Sequence, residues 1–305
     1  MPADRSSLGY RGELFILAFD HRGSFEKQLF GITGRPGPED AGRITDAKTV
    51  IFDGFLSALD AGAPRDAAGI LVDEQYGSDI ARRARKEGRI LAMPVEKSGQ
   101  PEFDFDHGER FGEHIEDFDP TFSKVLVRYN ARGDQEMNVR QAERLAALSE
   151  WLHERGRKLL FEMLVPAEPA QLESVGGDTD RFDQEVRPKL MLEAIQELRD
   201  RGVEPDVWKI EGLDRAEDCR AVADLARADG RDDVVCVVLG RGANAVAVER
   251  WLQAGSGVPG YRGFAIGRTI WWDALKAYLD GSADRTEAAR RIAETYRRMI
   301  DVYRG

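Results

Sequence analysis

The sequence predicts a single (β/α)8 barrel. Eight short apolar runs alternate with helix-like segments along 305 residues, which is the rhythm of a parallel sheet wound with helices. The runs are unbroken rather than alternating, as in strands buried on both faces. No Gly-x-Gly-x-x-Gly follows the first run, which lowers the competing open sheet that binds a dinucleotide.

The elements read in order as follows. Leu14–Phe19 is the first strand, running into Asp20-His21-Arg22-Gly23, and a helix spans about Glu39–Ala61. Gly69–Asp73 is the second strand, and a short charged helix, Asp79–Glu87, stops at Gly88, a residue free to end a helix left-handed. Arg89–Met93 is the third strand, followed by a polar stretch from Glu96 to Glu116. Lys124–Tyr129 is the fourth, then a long amphipathic helix, Gln135–Arg155, closed by Gly156. Lys158–Met163 is the fifth, with helix Arg187–Arg201 after it, and Val207–Ile210 is the sixth, with helix Ala216–Ala228. Val234–Leu239, helix Ala243–Ala254 and strand Gly263–Ile266 complete the set, and Trp271–Tyr303 is a mostly polar helical tail.

At 42% hydrophobic and 32% charged residues, the chain can bury one large core. No linker-like shift divides it, so residues 1–305 read as one domain, with 1–12 flexible or peripheral and 271–305 as C-terminal helices. The net charge of -11 argues against nucleic acid or an anionic membrane as partner. It leaves room for a small anion bound by local charge. Two cysteines, Cys219 and Cys236, imply no disulfide framework. Residues 1–12 lack an apolar signal core, and no run reaches spanning length; a cytoplasmic, soluble protein is expected.

Barrel chemistry sits where strands end. Those ends carry Asp20 and Arg22, Asp73 and Glu74, Glu96 and Lys97, Arg128, Glu162, Lys209 and Glu211, Gly240 and Arg241, and Gly267 and Arg268. Lys209 is set among Val207, Trp208 and Ile210. An unpaired buried ammonium is costly, so the side chain either snorkels to water or serves as a nucleophilic amine. Glu162, on the neighbouring strand, is the carboxylate such an amine needs. Leu239-Gly240-Arg241-Gly242 and Ile266-Gly267-Arg268-Thr269 follow strands seven and eight, the usual phosphate position of this fold. Glycine lets backbone N–H groups approach an anion, and arginine adds charge.

Plainer readings stand beside these. Lys209 pairs with Glu162 or Glu211 as a structural ion pair. Asp20 and Asp73 cap the helices that follow. Lys124, at the start of its strand, is a bottom-face surface residue, and Arg128 is a salt-bridge partner in the mouth. Phe103–His114, with Asp104, Asp106, His107, Glu109 and His114, reads as a solvated, mobile loop rather than a metal site. The four histidines, His21, His107, His114 and His153, show no zinc spacing, so no metal is expected. Cys236 is inert core, and Trp271 and Trp272 are core or interface aromatics.

Taken together, Leu17-Ala18-Phe19-Asp20-His21-Arg22, Gly69–Asp73, the Lys124 strand, Phe161-Glu162, Trp208–Gly212, Leu239–Gly242 and Ala265–Arg268 resemble a class I aldolase family. It is that of the 2-deoxy-5-keto-gluconate 6-phosphate aldolase domain, found fused to 5-dehydro-2-deoxygluconokinase in inositol catabolism. Class I tagatose-1,6-bisphosphate aldolases are its relatives. The resemblance runs over about residues 10–280, with no kinase half, which opens the substrate to other ketose phosphates.

The resemblance implies Lys209 as Schiff-base lysine, Glu162 as acid/base, Asp20 as the strand-one acid and Lys124 as a lysine near the reaction centre, reversing the bottom-face reading. It implies Gly240, Arg241, Gly267 and Arg268 as phosphate cradle. Arg22 and Arg128 are candidates for a substrate carboxylate, with Asp73 and Glu211 as further substrate-binding acids. Lys124 and Arg128 would keep the Lys209 amine neutral by positive crowding. The expected activity is cleavage of 2-deoxy-5-keto-gluconate 6-phosphate to dihydroxyacetone phosphate and malonate semialdehyde, without cofactor. Alternatives are an aldolase for a tagatose, fructose or sulfo-sugar phosphate, a phosphosugar isomerase or epimerase, a metallo-lyase using His107 and His114, and a non-catalytic phosphosugar-binding barrel. A homo-oligomer is expected, on the apolar Trp271, Trp272 and Tyr278.

Overall fold

The computed structural model describes residues 7–305. Its strands are β1 Leu14–Ala18, β2 Ala68–Leu71, β3 Ile90–Pro94, β4 Phe122–Arg128, β5 Lys158–Leu164, β6 Val207–Glu211, β7 Val235–Leu239 and β8 Tyr261–Ile266. They form a closed barrel, each parallel to the next, with β8 returning beside β1. The helices are α1 Gly23–Phe30, α2 Pro38–Asp60, α3 Glu74–Lys86, α4 Phe111–Phe118, α5 Gln135–Glu154, α6 Pro169–Glu173, α7 Thr179–Arg181, α8 Arg187–Asp200, α9 Ala216–Arg227, α10 Ala245–Gly255, α11 Arg268–Leu279 and α12 Arg285–Arg304. The predicted (β/α)8 barrel is the fold observed.

The unbroken apolar runs are explained by two cores. Alternate strand residues Leu14, Ile16, Phe122, Leu160, Val207, Val235 and Val237 fill the barrel interior. Their neighbours Phe15, Leu17, Val125, Phe161 and Trp208 pack outward against the helices. Each such side chain contributes roughly 1.5–3 kcal/mol by leaving water. Where β8 meets β1 the backbones come too close for a side chain: a Cβ on Gly263, at φ +136, would lie 2.2 Å from the Leu14 carbonyl oxygen.

The barrel bottom is closed by Asp206. Its carboxylate accepts from the Gly9 N–H and the Leu159 N–H, each at 2.8 Å, and lies 3.0 Å from His153 Nε2. Leu8 is buried and Tyr10 packs edge-on against Phe122. The segment expected to be flexible or peripheral is thus packed from Leu8 onward, and its first part, residues 1–6, lies outside the described residues.

Three of the differences from the sequence reading bear on the site and the core. β4 begins at Phe122, so Lys124 is its third residue and points into the barrel rather than opening the strand. α3 begins at Glu74, because Asp73 accepts from the Tyr76 N–H at 3.0 Å and caps it. The tail is two helices broken at Gly281, φ +78. The second of them, α12, buries Ile292, Tyr296, Met299 and Ile300, and the Tyr296 hydroxyl donates to the Phe15 carbonyl at 2.6 Å. Trp271 is fully buried and donates to the Ala18 carbonyl at 2.9 Å, so it is core and not available to a subunit interface. Among the described residues no helix is long and apolar enough to cross a membrane.

Candidate active site

The interior parity that fills the barrel with Phe122, Leu160 and Val207 continues upward into charge. Two residues on, the same inward positions are Lys124, Glu162 and Lys209. Glu162 and Lys209 are direct register partners on β5 and β6. Lys124 is paired with Leu160, one layer below Glu162. Lys209 Nζ lies 2.9 Å from Glu162 Oε2, and Lys124 Nζ lies 3.0 Å from the same oxygen. Lys124 also reaches Glu96 at 2.8 Å and Asp20 at 2.9 Å. Arg22 completes the layer, donating to Asp106 Oδ2 and to the Glu96 carbonyl, each at 2.6 Å.

Burial and charge act against each other here. Burial by itself would raise the carboxyls of Asp20 and Glu162. Lys124 and the charges near it outweigh that and hold both below the ordinary carboxylate range. At Glu96 burial wins and its carboxyl is raised, making it the member of the trio nearest to carrying a proton. Lys124 is also disfavoured by burial, yet Asp20, Glu162 and Glu96 hold its ammonium well above its usual value. The two lysines that meet Glu162 are therefore unlike. Among the described residues Lys124 has three carboxylate partners and stays charged, whereas Lys209 has one, Glu162. Removing a proton from Lys209 disturbs fewer pairings.

Above this layer opens a cavity of about 700 Å³, lined by Asp20, His21, Glu96, Lys124, Glu162, Lys209 and by both Gly-Arg loops, a volume suited to a small metabolite. His21 lines it as a neutral imidazole: burial brings it down to about 4, and Arg268, Lys209 and Lys48 press the same way against Asp20. Its Nδ1 has no hydrogen-bond partner. Near it, Arg268 opens α11, donates to the Arg241 carbonyl at 3.2 Å, and leaves Nε buried without a partner among the described residues. Gly242, φ +71, makes room for it: a Cβ there would lie 2.5 Å from the guanidinium carbon. Arg241, at φ +50, is engaged with Asp183 at 2.7 Å and Glu211 at 3.0 Å.

The structure brings Lys209, Glu162, Asp20 and Lys124 into one cluster, and sets Arg22, Arg128, Glu211, Gly240, Arg241, Gly267 and Arg268 around the same cavity. Asp73 is not there. It pairs with the fully buried Lys48 of α2 and caps α3, so the plainer reading of that acid holds. Glu211 is already taken up by Arg187, Arg241 and the Val165 N–H. Arg128 is exposed at the rim and donates to the Gln100 carbonyl at 3.1 Å. With Lys124 bound to three carboxylates, positive crowding of Lys209 is not what the geometry provides. The segment expected to be a solvated loop is folded: Phe103 and Ile115 are buried, and Phe105 stacks on Phe111 with centroids 4.3 Å apart. His107 and His114 do not line the cavity.

Lys48 was not singled out from sequence, and Glu96, His21 and Asp106 were named there without being assigned to the site. Lys48 had a signal: it interrupts the apolar face formed by Ile44, Ala47, Ile51 and Phe55. Glu96 did too, being at even spacing from the inward Ala92.

In fold the chain is similar to the Corynebacterium glutamicum (Brevibacterium flavum) protein Cgl0159, at 17% identity and TM-score 0.58 over 97% of this chain and 92% of that one. It is also similar to a Schiff base forming fructose-1,6-bisphosphate aldolase studied through its reaction intermediates, at 16% identity and TM-score 0.54 over 93% and 94%. No curated protein matches the chain in sequence. A family model does, along residues 6–305, and the chain belongs to that family, described as "Uncharacterized protein conserved in bacteria (DUF2090)".

Proposed function

We propose that this protein is a class I aldolase that cleaves a phosphorylated keto-sugar through a Schiff base on Lys209. The observation that carries the reading is one carboxylate oxygen of Glu162 held between a singly partnered lysine, Lys209, and a triply partnered one, Lys124, at the mouth of the barrel. The fold likeness to a Schiff base forming aldolase agrees with it, and the site geometry carries the argument. The substrate we favour is 2-deoxy-5-keto-gluconate 6-phosphate, on the sequence resemblance; another ketose phosphate is the alternative.

Glu162 takes a proton from the Lys209 ammonium, and the freed amine attacks the C5 ketone. That proton and one released by the attacking nitrogen pass to the carbonyl oxygen, water leaves, and an iminium forms. The C3–C4 bond then breaks, its electron pair passing into the C4–C5 enamine as the iminium charge is discharged. The C3 hydroxyl proton goes to Glu162, directly or through one water, and malonate semialdehyde leaves. Protonation at C4 and hydrolysis release dihydroxyacetone phosphate and the free lysine. Lys124 keeps Asp20 ionised and favours the return of Glu162 to its carboxylate form after each proton transfer. Arg268, whose Nε has no partner, is the cation available to the phosphate.

Borohydride trapping tests the reading. The protein is incubated with dihydroxyacetone phosphate, reduced, digested and mapped by mass spectrometry. An adduct on Lys209, absent in Lys209→Ala, is expected. An adduct on Lys124 would keep the chemistry and overturn the assignment. Binding without any adduct would favour an isomerase that uses Glu162 as base.

A further inference from the structure

We propose that Glu74, His107 and His114 form a site for one divalent transition-metal ion of the zinc or cobalt class, outside the catalytic cavity. The three residues come from separate places: the first turn of α3, the end of the segment after β3, and the middle of α4. The structure nevertheless gathers them so that one donor atom of each lies within 4.8 Å of the others. His107 Nε2 lies 2.9 Å from one Glu74 carboxylate oxygen and His114 Nε2 lies 3.1 Å from the other.

Ion pairing alone does not account for this geometry. His107 Nε2 is buried and has no hydrogen-bond partner, although a carboxylate oxygen is only 2.9 Å away. Its donor direction therefore misses that oxygen. The two imidazoles also approach to 4.2 Å between centroids, so both ring nitrogens face the same carboxylate. Ligands at about 2.0–2.1 Å around a tetrahedral zinc ion stand about 3.3 Å from one another, close to the two nitrogen–oxygen separations of 2.9 and 3.1 Å. Two imidazoles and one carboxylate suit borderline ions such as zinc or cobalt better than calcium or magnesium. Glu74 and His107 are each about one-third exposed, which leaves a side for ion entry and for a water as fourth ligand.

The site has a structural consequence. Asp106, next to His107, holds Arg22 at 2.6 Å, and Glu96 to Phe103 line the cavity wall. An ion here would tie the segment carrying them to α3 and α4. The proposal does not rest on the aldolase reading.

The test is metal binding by the full chain. After dialysis against a chelator, zinc chloride is titrated by calorimetry, and cobalt(II) is followed by visible d–d absorption. We expect one ion per chain with a dissociation constant of about 1 μM or lower, and zinc raising the melting temperature. His107→Ala and His114→Ala should each weaken binding at least about tenfold and remove the thermal shift. If His114→Ala does not fold, His107→Ala, at the one-third exposed position, decides. No saturable binding, or equal binding by a folded His107→Ala, overturns the site. The borohydride adduct on Lys209 should form equally without metal, which separates this proposal from the catalytic one.

Discussion

Glu162 Oε2 lies 2.9 Å from Lys209 Nζ, its register partner across β5 and β6, and this one oxygen is also the 3.0 Å partner of Lys124. Glu162→Gln keeps the shape and removes both the charge and the base. We expect kcat to fall about 10²–10⁴-fold, with trapping of the adduct slowed to match. An unchanged kcat would remove Glu162 from proton transfer.

Lys124 neutralises three buried carboxylates. Lys124→Met leaves Asp20, Glu96 and Glu162 short of a cation, and removing one partner of a buried ionic cluster costs about 3–5 kcal/mol. Urea unfolding at pH 7 should show such a loss. The carboxyls raised in the folded variant then gain protons as pH falls, so the deficit should narrow at pH 5. A deficit equal at both values would mean the loss is packing rather than charge.

Arg268 offers an unpartnered Nε to the cavity. A hydrogen bond to a charged group is worth about 1.5–3 kcal/mol, so Arg268→Ala should raise KM for a phosphorylated ketone about 10–100-fold and change kcat little. Gly242→Ala should shift KM the same way, since its Cβ would intrude on the Arg268 guanidinium and its φ of +71 disfavours alanine. An unchanged KM in both variants would move the phosphate elsewhere.

His21 is neutral in the fold because burial lowers it to about 4 from the ordinary 6.5. Between those values the unfolded chain binds the proton and the folded one does not. The stability His21 allows is therefore full above pH 6.5 and is lost as pH falls toward 4, by an amount on the order of 1 kcal/mol or more. His21→Asn should flatten the melting temperature against pH across that window. An identical profile would show that His21 titrates normally.

The barrel and the charged strand ends were legible because both rest on local patterns. Unbroken runs such as Leu14–Phe19 and Val234–Leu239 read as strands buried on both faces. Lys209 among Val207, Trp208 and Ile210 announced itself as an expensive charge, and Glu162 stood at the matching end of the neighbouring strand. The Gly-Arg loops could be read because glycine and arginine each have a physical reason to be there.

What the sequence determined by itself is the fold, the inward alternation of residues and the presence of two charged strand positions, since period and polarity are properties of single segments. Which charges meet was decided by tertiary structure. Closure of β1 on β8 and the stagger of β4 against β5 carry Lys124 inward to Asp20, Glu96 and Glu162. The same packing withdraws Asp73 to Lys48, commits Glu211 to Arg187 and Arg241, and gathers Glu74, His107 and His114. A charge buried in the barrel takes its partners from wherever the chain brings them within about 3 Å, and that distance is set by the packing of distant segments.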